Sequence, residues 1–165
     1  MKKKISARIS TFILALACLS FVSSASALAA DDDKKAVMDA ETQFYAALNR
    51  MFTGSLDQMK DVWSHADDVT YMGPVGGFKV GWDQVLKDWD AQAAMKLGGK
   101  VQAADMRITL GRDIAVVNNY ENGENVDAKG AAQKVSIRAT NTFRKEDGKW
   151  KMIGHHTDLL PYLVK

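Results

Sequence analysis

Two histidines, His155 and His156, stand side by side near the end of the chain, two residues ahead of Asp158. An imidazole oriented by a carboxylate is a common arrangement for proton transfer near neutral pH. The surrounding residues read as a strand, on which neighbouring side chains point to opposite faces. The two rings therefore cannot grip one ion together. No His-x-His or His-x3-His spacing occurs and there is no cysteine cluster, so neither a metal site nor another cofactor is expected. Counting by twos groups Trp150, Met152, Gly154 and His156 on one face, with His155 on the other. His156 is thus expected to face the interior as a proton acceptor, with Asp158 to orient it. Tyr71, on an earlier strand, is the preferred hydroxyl donor.

The strand before this one carries a second polar set. Ile137, Ala139, Asn141 and Phe143 share a face that looks core-directed, which makes Asn141 a buried amide in need of partners. Arg138, Thr140, Thr142 and Arg144 share the other face. Arg138 is expected to be a solvated or dimer-interface charge, with Glu121 on the neighbouring strand as its partner. Among the aromatic residues, Trp63, Trp82, Trp89 and Tyr120 are candidates to line a pocket with Asn141, and most of them are expected to be plain core. Asp67 and Asp68 are expected to cap a turn.

The elements that must position these groups follow from periodicity. In residues 35–52, Val37, Ala40, Phe44, Leu48 and Met51 recur at steps of three and four, giving a helix with one apolar face. Gly54-Ser55 breaks it, and a short helix follows with Ser55 as its cap. Residues 69–72 and 78–80 are short strands about a Gly/Pro turn. Gly81 opens a third helix lined by Trp82, Leu86, Trp89 and Ala93, which Gly98-Gly99 stops. Beyond it the period changes to two, with strands at 101–110 and 114–121. Residues 122–133 read as a long polar loop. A closing hairpin turns at Asp147-Gly148, where glycine supplies the positive φ a tight turn requires. Leu159, Leu160, Tyr162 and Leu163 form an apolar tail expected to dock on the domain. Early helices and late strands argue an α+β domain with a mostly antiparallel sheet.

The first 29 residues read as a cleaved signal peptide. Met1-Lys2-Lys3-Lys4 is basic, residues 9–22 are mostly apolar, and small residues follow at Ala25-Ser26-Ala27 and Ala27-Leu28-Ala29. Residues 30–165 then form one domain, periplasmic or secreted and without a membrane anchor. The formal charge of +2 misleads, because Lys2, Lys3, Lys4 and Arg8 supply four of the 22 basic residues. Without them 18 basic residues face 20 acidic ones, and no electrostatic case for nucleic-acid binding survives. The single cysteine, Cys18, lies in the leader, so the mature chain has neither a disulfide nor a thiolate nucleophile.

Three segments carry a resemblance to a known superfamily. They are VWSHADDVTYMGPVGGFKVGW (62–82), DIAVVNNYENG (113–123) and RATNTFRKEDGKWKMIGHHTD (138–158). Together they resemble the nuclear transport factor 2-like superfamily in its SnoaL-like branch. The resemblance implies a curved sheet wrapped around about three N-terminal helices to make a cone with a pocket, and frequent homodimers. Relatives include isomerases, polyketide cyclases, dehydratases, transport adaptors and a kinase association domain, so the fold does not fix one function. The position similar to Asn141 is a pocket arginine in the kinase association domain. His156 is similar to the second histidine of the closing segment, and Asp67-Asp68 to an acidic step that supplies the base in the isomerases. Three functions are compatible with this. One is an exported domain binding a small apolar or aromatic ligand. Another is a proton-transfer enzyme (isomerase, cyclase or dehydratase) with His156 as base, Asp158 orienting it and Tyr71 or Asn141 polarising a carbonyl. The third is a homodimeric interaction module presenting the Arg138 face.

Overall fold

Helices lead and strands follow, in the order α1 (Ala7–Met51), α2 (Asp57–Val62), β1 (Thr70–Met72), β2 (Lys79–Val80), α3 (Trp82–Met95), β3 (Lys100–Leu110), β4 (Ile114–Val126), β5 (Ala132–Glu146) and β6 (Lys149–Asp158). The computed structural model describes residues 7–74, 76–127 and 129–158, and only the backbone of residues 7–28. The expected docking of the 159–163 tail lies outside the described residues. Contacts divide the chain into Met1–Lys35 and Ala36–Lys165. The first unit is helical from Ala7 onward, so α1 starts well before the expected residue 35. Among the described residues no helix is long and apolar enough to cross a membrane.

In the second unit the expected α+β architecture is the one observed. A six-stranded sheet runs in the order β2-β1-β6-β5-β4-β3, antiparallel except where β1 pairs with β6, and it curls without closing. The α1 face predicted from spacing is buried, with Val37, Phe44 and Met51 wholly inaccessible. On α3 the buried positions are Val85, Trp89 and Ala93, four residues apart. Phe44 meets Trp89 edge-on at 6.4 Å, joining the two helices in one core beneath the sheet. The α2 cap is Leu56 rather than Ser55, with no side-chain hydrogen bond.

The Asp147-Gly148 turn has positive φ at both central residues (49° and 78°), the type I′ geometry that matches strand twist. The polar stretch at 122–133 is not a long loop. β4 continues to Val126 and β5 begins at Ala132, paired throughout. Only 127–131 turn, and there Asp127 Oδ1 accepts from the amides of Lys129 and Ala131. Gly123 permits the extension, because a Cβ there would lie 2.0 Å from the Lys100 carbonyl oxygen.

One irregularity in β6 decides what faces inward. Thr142 pairs with Gly154, but Phe143 pairs with Met152, which leaves Ile153 as an extra residue. Such a bulge reverses the alternation beyond it. Trp150 and Met152 point into the core, then so do His155 and Thr157, while His156 and Asp158 turn outward.

Candidate functional site

Beneath the sheet, α1 brings an acid onto its apolar face. Glu41 lies one turn after Val37 and is 1 % exposed. Tyr45 follows one turn later, also buried. Opposite them the inner face presents Asn119 and Glu121 from β4, Asn141 from β5, and His155 and Thr157 from β6. All are buried, and apart from Thr157 they form two hydrogen-bonded groups, Glu41–Asn141–His155 and Asn119–Tyr45–Glu121. Asn141 Nδ2 donates to Glu41 Oε1 at 2.7 Å, and its Oδ1 lies 2.5 Å from His155 Nδ1. With the amide so placed, His155 carries its proton on Nδ1, and no bond among the described residues engages Nε2. Asn119 Nδ2 donates to Tyr45 Oη at 2.7 Å, and that hydroxyl donates to Glu121 Oε2 at 3.4 Å.

Burial sets the charge of each group. The His155 ring is driven down to about 3 by desolvation, reinforced by the charge of His156, and is neutral at physiological pH. Desolvation raises Glu41 to about 8; its Asn141 bond opposes this and the charge of Glu121 adds to it. Glu121 is raised to about 7 by desolvation, against the Tyr45 bond. Burial likewise pushes the Tyr45 and Tyr71 hydroxyls up. The interior therefore holds a neutral imidazole, a largely protonated acid and a second acid poised near neutrality.

A cavity of about 160 Å³ opens against this network. Leu48, Phe52, Trp89 and Ile137 form apolar walls, and Tyr71, Gln92, Glu121, His155 and Thr157 supply polar ones. Tyr71 stacks on His155 with ring planes 6° apart, and its hydroxyl accepts from Gln92 Nε2 at 2.8 Å. The arrangement offers an acceptor at His155 Nε2, a hydroxyl donor at Tyr71 and a titratable carboxyl at Glu121.

The sequence-predicted residues divide between two faces. Asn141 is inside, as strand parity indicated, but does not line the cavity; Tyr71 is inside and does. His156 is exposed on the outer face, so the interior histidine is His155, because the Ile153 bulge shifts the count by one. Asp158 does not orient a histidine; its Oδ1 pairs with Arg138 Nη2 at 2.9 Å. Tyr120 is 47 % exposed and lies with Arg138, His156 and Asp158 along an outer-face cleft of about 400 Å³. Glu121 is not the partner of Arg138. The register sets Tyr120 against Arg138 and Glu121 against Ile137, which turns the carboxyl inward. Trp63 is buried against Trp82 and Trp89, and Trp82 stacks on His65 at 4.3 Å; neither lines the cavity, whereas Trp89 does. Asp68 forms a two-pronged pair with Arg144 on the surface, which lowers its titration. Among the described residues no cluster of three or more His, Cys, Asp or Glu side chains is arranged to hold a metal.

Sequence reasoning missed Glu41, Tyr45, Asn119 and Thr157. Glu41 carried a readable signal, an acid at the Val37–Phe44 spacing of an otherwise apolar helix face.

Residues 37–160 match the SnoaL-like domain family. Among curated proteins, none matches this chain. A solved structure named as a dehydratase of the NTF2-like family, from Streptomyces avermitilis, shares 25% identity over 79% of this chain and 99% of its own, with a TM-score of 0.70. One named as a calcium/calmodulin-dependent protein kinase type II association domain, from Thiobacillus denitrificans, shares 27% identity over 73% of this chain and 92% of its own, with a TM-score of 0.63. A third, named as a ketosteroid isomerase from Shewanella frigidimarina, shares the fold at 20% identity, covering 74% of this chain and 94% of its own, with a TM-score of 0.61.

Proposed function

The chain belongs to the SnoaL-like domain family, and on that premise we propose that it is an exported small-molecule-binding domain whose ligand occupies the cavity beneath the sheet. The observation that carries this is the cavity itself, where aliphatic and aromatic walls surround a few converging polar groups. Native mass spectrometry of the protein purified from its own host tests it. A copurified small molecule lost on Val135→Phe, which fills the cavity, is the expected result. No bound molecule, together with no thermal stabilisation across phenolics, cyclic ketones and aliphatic acids, would refute it. Export predicts that the mature N-terminus lies near residue 30, which N-terminal sequencing reads directly.

A second reading, proton-transfer catalysis, is favoured by the Glu41–Asn141–His155 chain beside Glu121. An efficient base titrates near the working pH. Glu121, at about 7, fits that role, whereas His155, held near 3, fits that of a neutral acceptor that orients a substrate hydroxyl. Tyr71 would donate to the oxygen on which negative charge develops. Isomerisation or dehydration would follow from removing a proton beside a carbonyl. The name of the Streptomyces relative agrees with this class. Glu121→Gln is then expected to abolish turnover while preserving ligand affinity, and the rising limb of the pH–rate profile near 7 is expected in wild type. Full turnover in Glu121→Gln would remove the reading.

Association of two copies through the outer face is proposed as well, because Tyr120 and Ile114 are exposed there at 47 % and 42 %. A monomer by light scattering at high concentration would exclude it.

A further inference from the structure

The cavity limits both the size and the charge of what enters it. An apolar cavity of about 150 Å³ accepts one benzene ring, and this one measures about 160 Å³. A single six-membered ring with a small substituent fills it. Its polar atoms are equally restrictive. Thr157 is 3 % exposed, lines the cavity, and has no hydrogen-bond partner for Oγ1 among the described residues. Tyr71 Oη accepts from Gln92 and retains its own proton to donate. His155 presents Nε2 as an acceptor, because Nδ1 is engaged by Asn141. Thr157, whose buried hydroxyl lacks a partner, Tyr71, whose hydroxyl keeps a spare donor, and His155, whose ring keeps a spare lone pair, thus line one space of one-ring size.

Charge narrows the choice further. The buried acid in the wall is Glu121, with Glu41 behind His155 in the same network. The one cation among the lining residues, Lys134, is exposed at the rim. A ligand carboxylate in the interior would meet Glu121 and a neutral imidazole, with no fixed positive charge to pair it.

We infer that the cavity selects a single-ring-sized molecule without negative charge that bears an oxygen able both to donate and to accept a hydrogen bond, such as a phenol, a cyclic enol or a small hydroxy-ketone, and rejects carboxylates of the same size. The inference rests on the reading of the cavity as a ligand site. In it the ligand hydroxyl donates to His155 Nε2 or Glu121 and accepts from Thr157 or Tyr71.

Ligand-observed NMR titration of the full chain at pH 7.5 with phenol, benzene and benzoate tests it. Phenol is expected to bind at least about tenfold more tightly than the other two, the effect of one or two well-made hydrogen bonds. Thr157→Val, nearly the same shape, is expected to weaken phenol about tenfold and leave benzene unchanged; Tyr71→Phe serves the same purpose should Thr157→Val fail to fold. Val135→Phe is expected to abolish binding of both. Benzoate binding as tightly as phenol, or phenol affinity unchanged in a folded Thr157→Val or Tyr71→Phe protein, overturns the selectivity while leaving the cavity a ligand site. Binding of none of the probes, or binding insensitive to Val135→Phe, overturns the ligand site itself.

Discussion

Replacing Glu41 by Gln should change how stability depends on pH far more than it changes stability at pH 5. The carboxyl is held at about 8 in the fold, against 4.5 in an ordinary environment, chiefly by burial. The folded chain therefore keeps a proton that the unfolded chain releases between those values. Its contribution is complete below pH 4.5 and is lost as pH rises through about 8. Within that window one proton is worth about 1.4 kcal/mol per pH unit, on the order of 5 kcal/mol across the whole of it. Glu121 adds a slope of the same sign up to about 7. His155 acts oppositely: its folded value near 3 lies below the usual 6.5, so its contribution is present above 6.5 and lost as pH falls through about 3. Between pH 7 and 8 Glu41 and the upper half of the Glu121 titration are still changing, and wild type should lose on the order of 1 kcal/mol, roughly 4 °C in Tm for a domain of this size. Gln keeps an acceptor for Asn141 Nδ2 and cannot ionise. Urea unfolding followed by tryptophan fluorescence from pH 4.5 to 8.5 should show the two proteins nearly equal at the acid end. They should diverge steadily toward the alkaline end, with Glu41→Gln the more stable. Curves that run parallel within about 1 kcal/mol would refute the burial of a protonated acid at this position.

Gly73→Ala should destabilise the domain by about 1–3 kcal/mol, because its Cβ would lie 2.3 Å from Tyr71 Oη and must displace the ring. Tyr71→Phe in the same chain should return part of the loss, which thermal melts of the single and double variants will show. Asp68→Asn, which breaks an exposed pair with Arg144, should cost no more than about 1 kcal/mol in urea unfolding, and less at high salt. Asn141→Leu strands both Glu41 and His155 and should cost about 3 kcal/mol, the largest loss of the set, measured by the same denaturant series.

Helix and strand order was legible because the apolar residues of α1 and α3 and the alternation of β3 to β6 leave little choice of period. The inner face of β5 was legible for the same reason, since no bulge interrupts it from Ile137 to Phe143. The site was less so. Nothing in Met152-Ile153-Gly154 announces an extra residue; the bulge is a property of how β6 pairs with β5, and it exchanges the roles of two adjacent, identical side chains. Glu121 escaped for another reason. Its parity with Ala115 and Val117 was available, but an acid on a strand invites pairing with the nearest arginine, and only the register rules that out. The 122–133 stretch looked like a loop because its residues are polar, yet a ribbon exposed on both faces has no apolar alternation to show.

The two faces of the sheet separate structural charge from chemical charge. Outside, Arg138–Asp158 and Arg144–Asp68 are solvent-accessible pairs of the kind that contribute little to stability. Inside, Glu41, Asn119, Glu121, Asn141, His155 and Thr157 occupy positions where aliphatic side chains of similar volume would stabilise the fold more. Glu41 Oε2, Asn119 Oδ1 and Thr157 Oγ1 remain without hydrogen-bond partners among the described residues, so those residues do not close the network by themselves. A network kept for rigidity satisfies its members; open acceptors and donors are what the proposed ligand would complete. That difference is measurable. A bound molecule that completes the network should flatten the alkaline loss of stability attributed to Glu121, whereas one that merely fills space should raise stability equally at every pH.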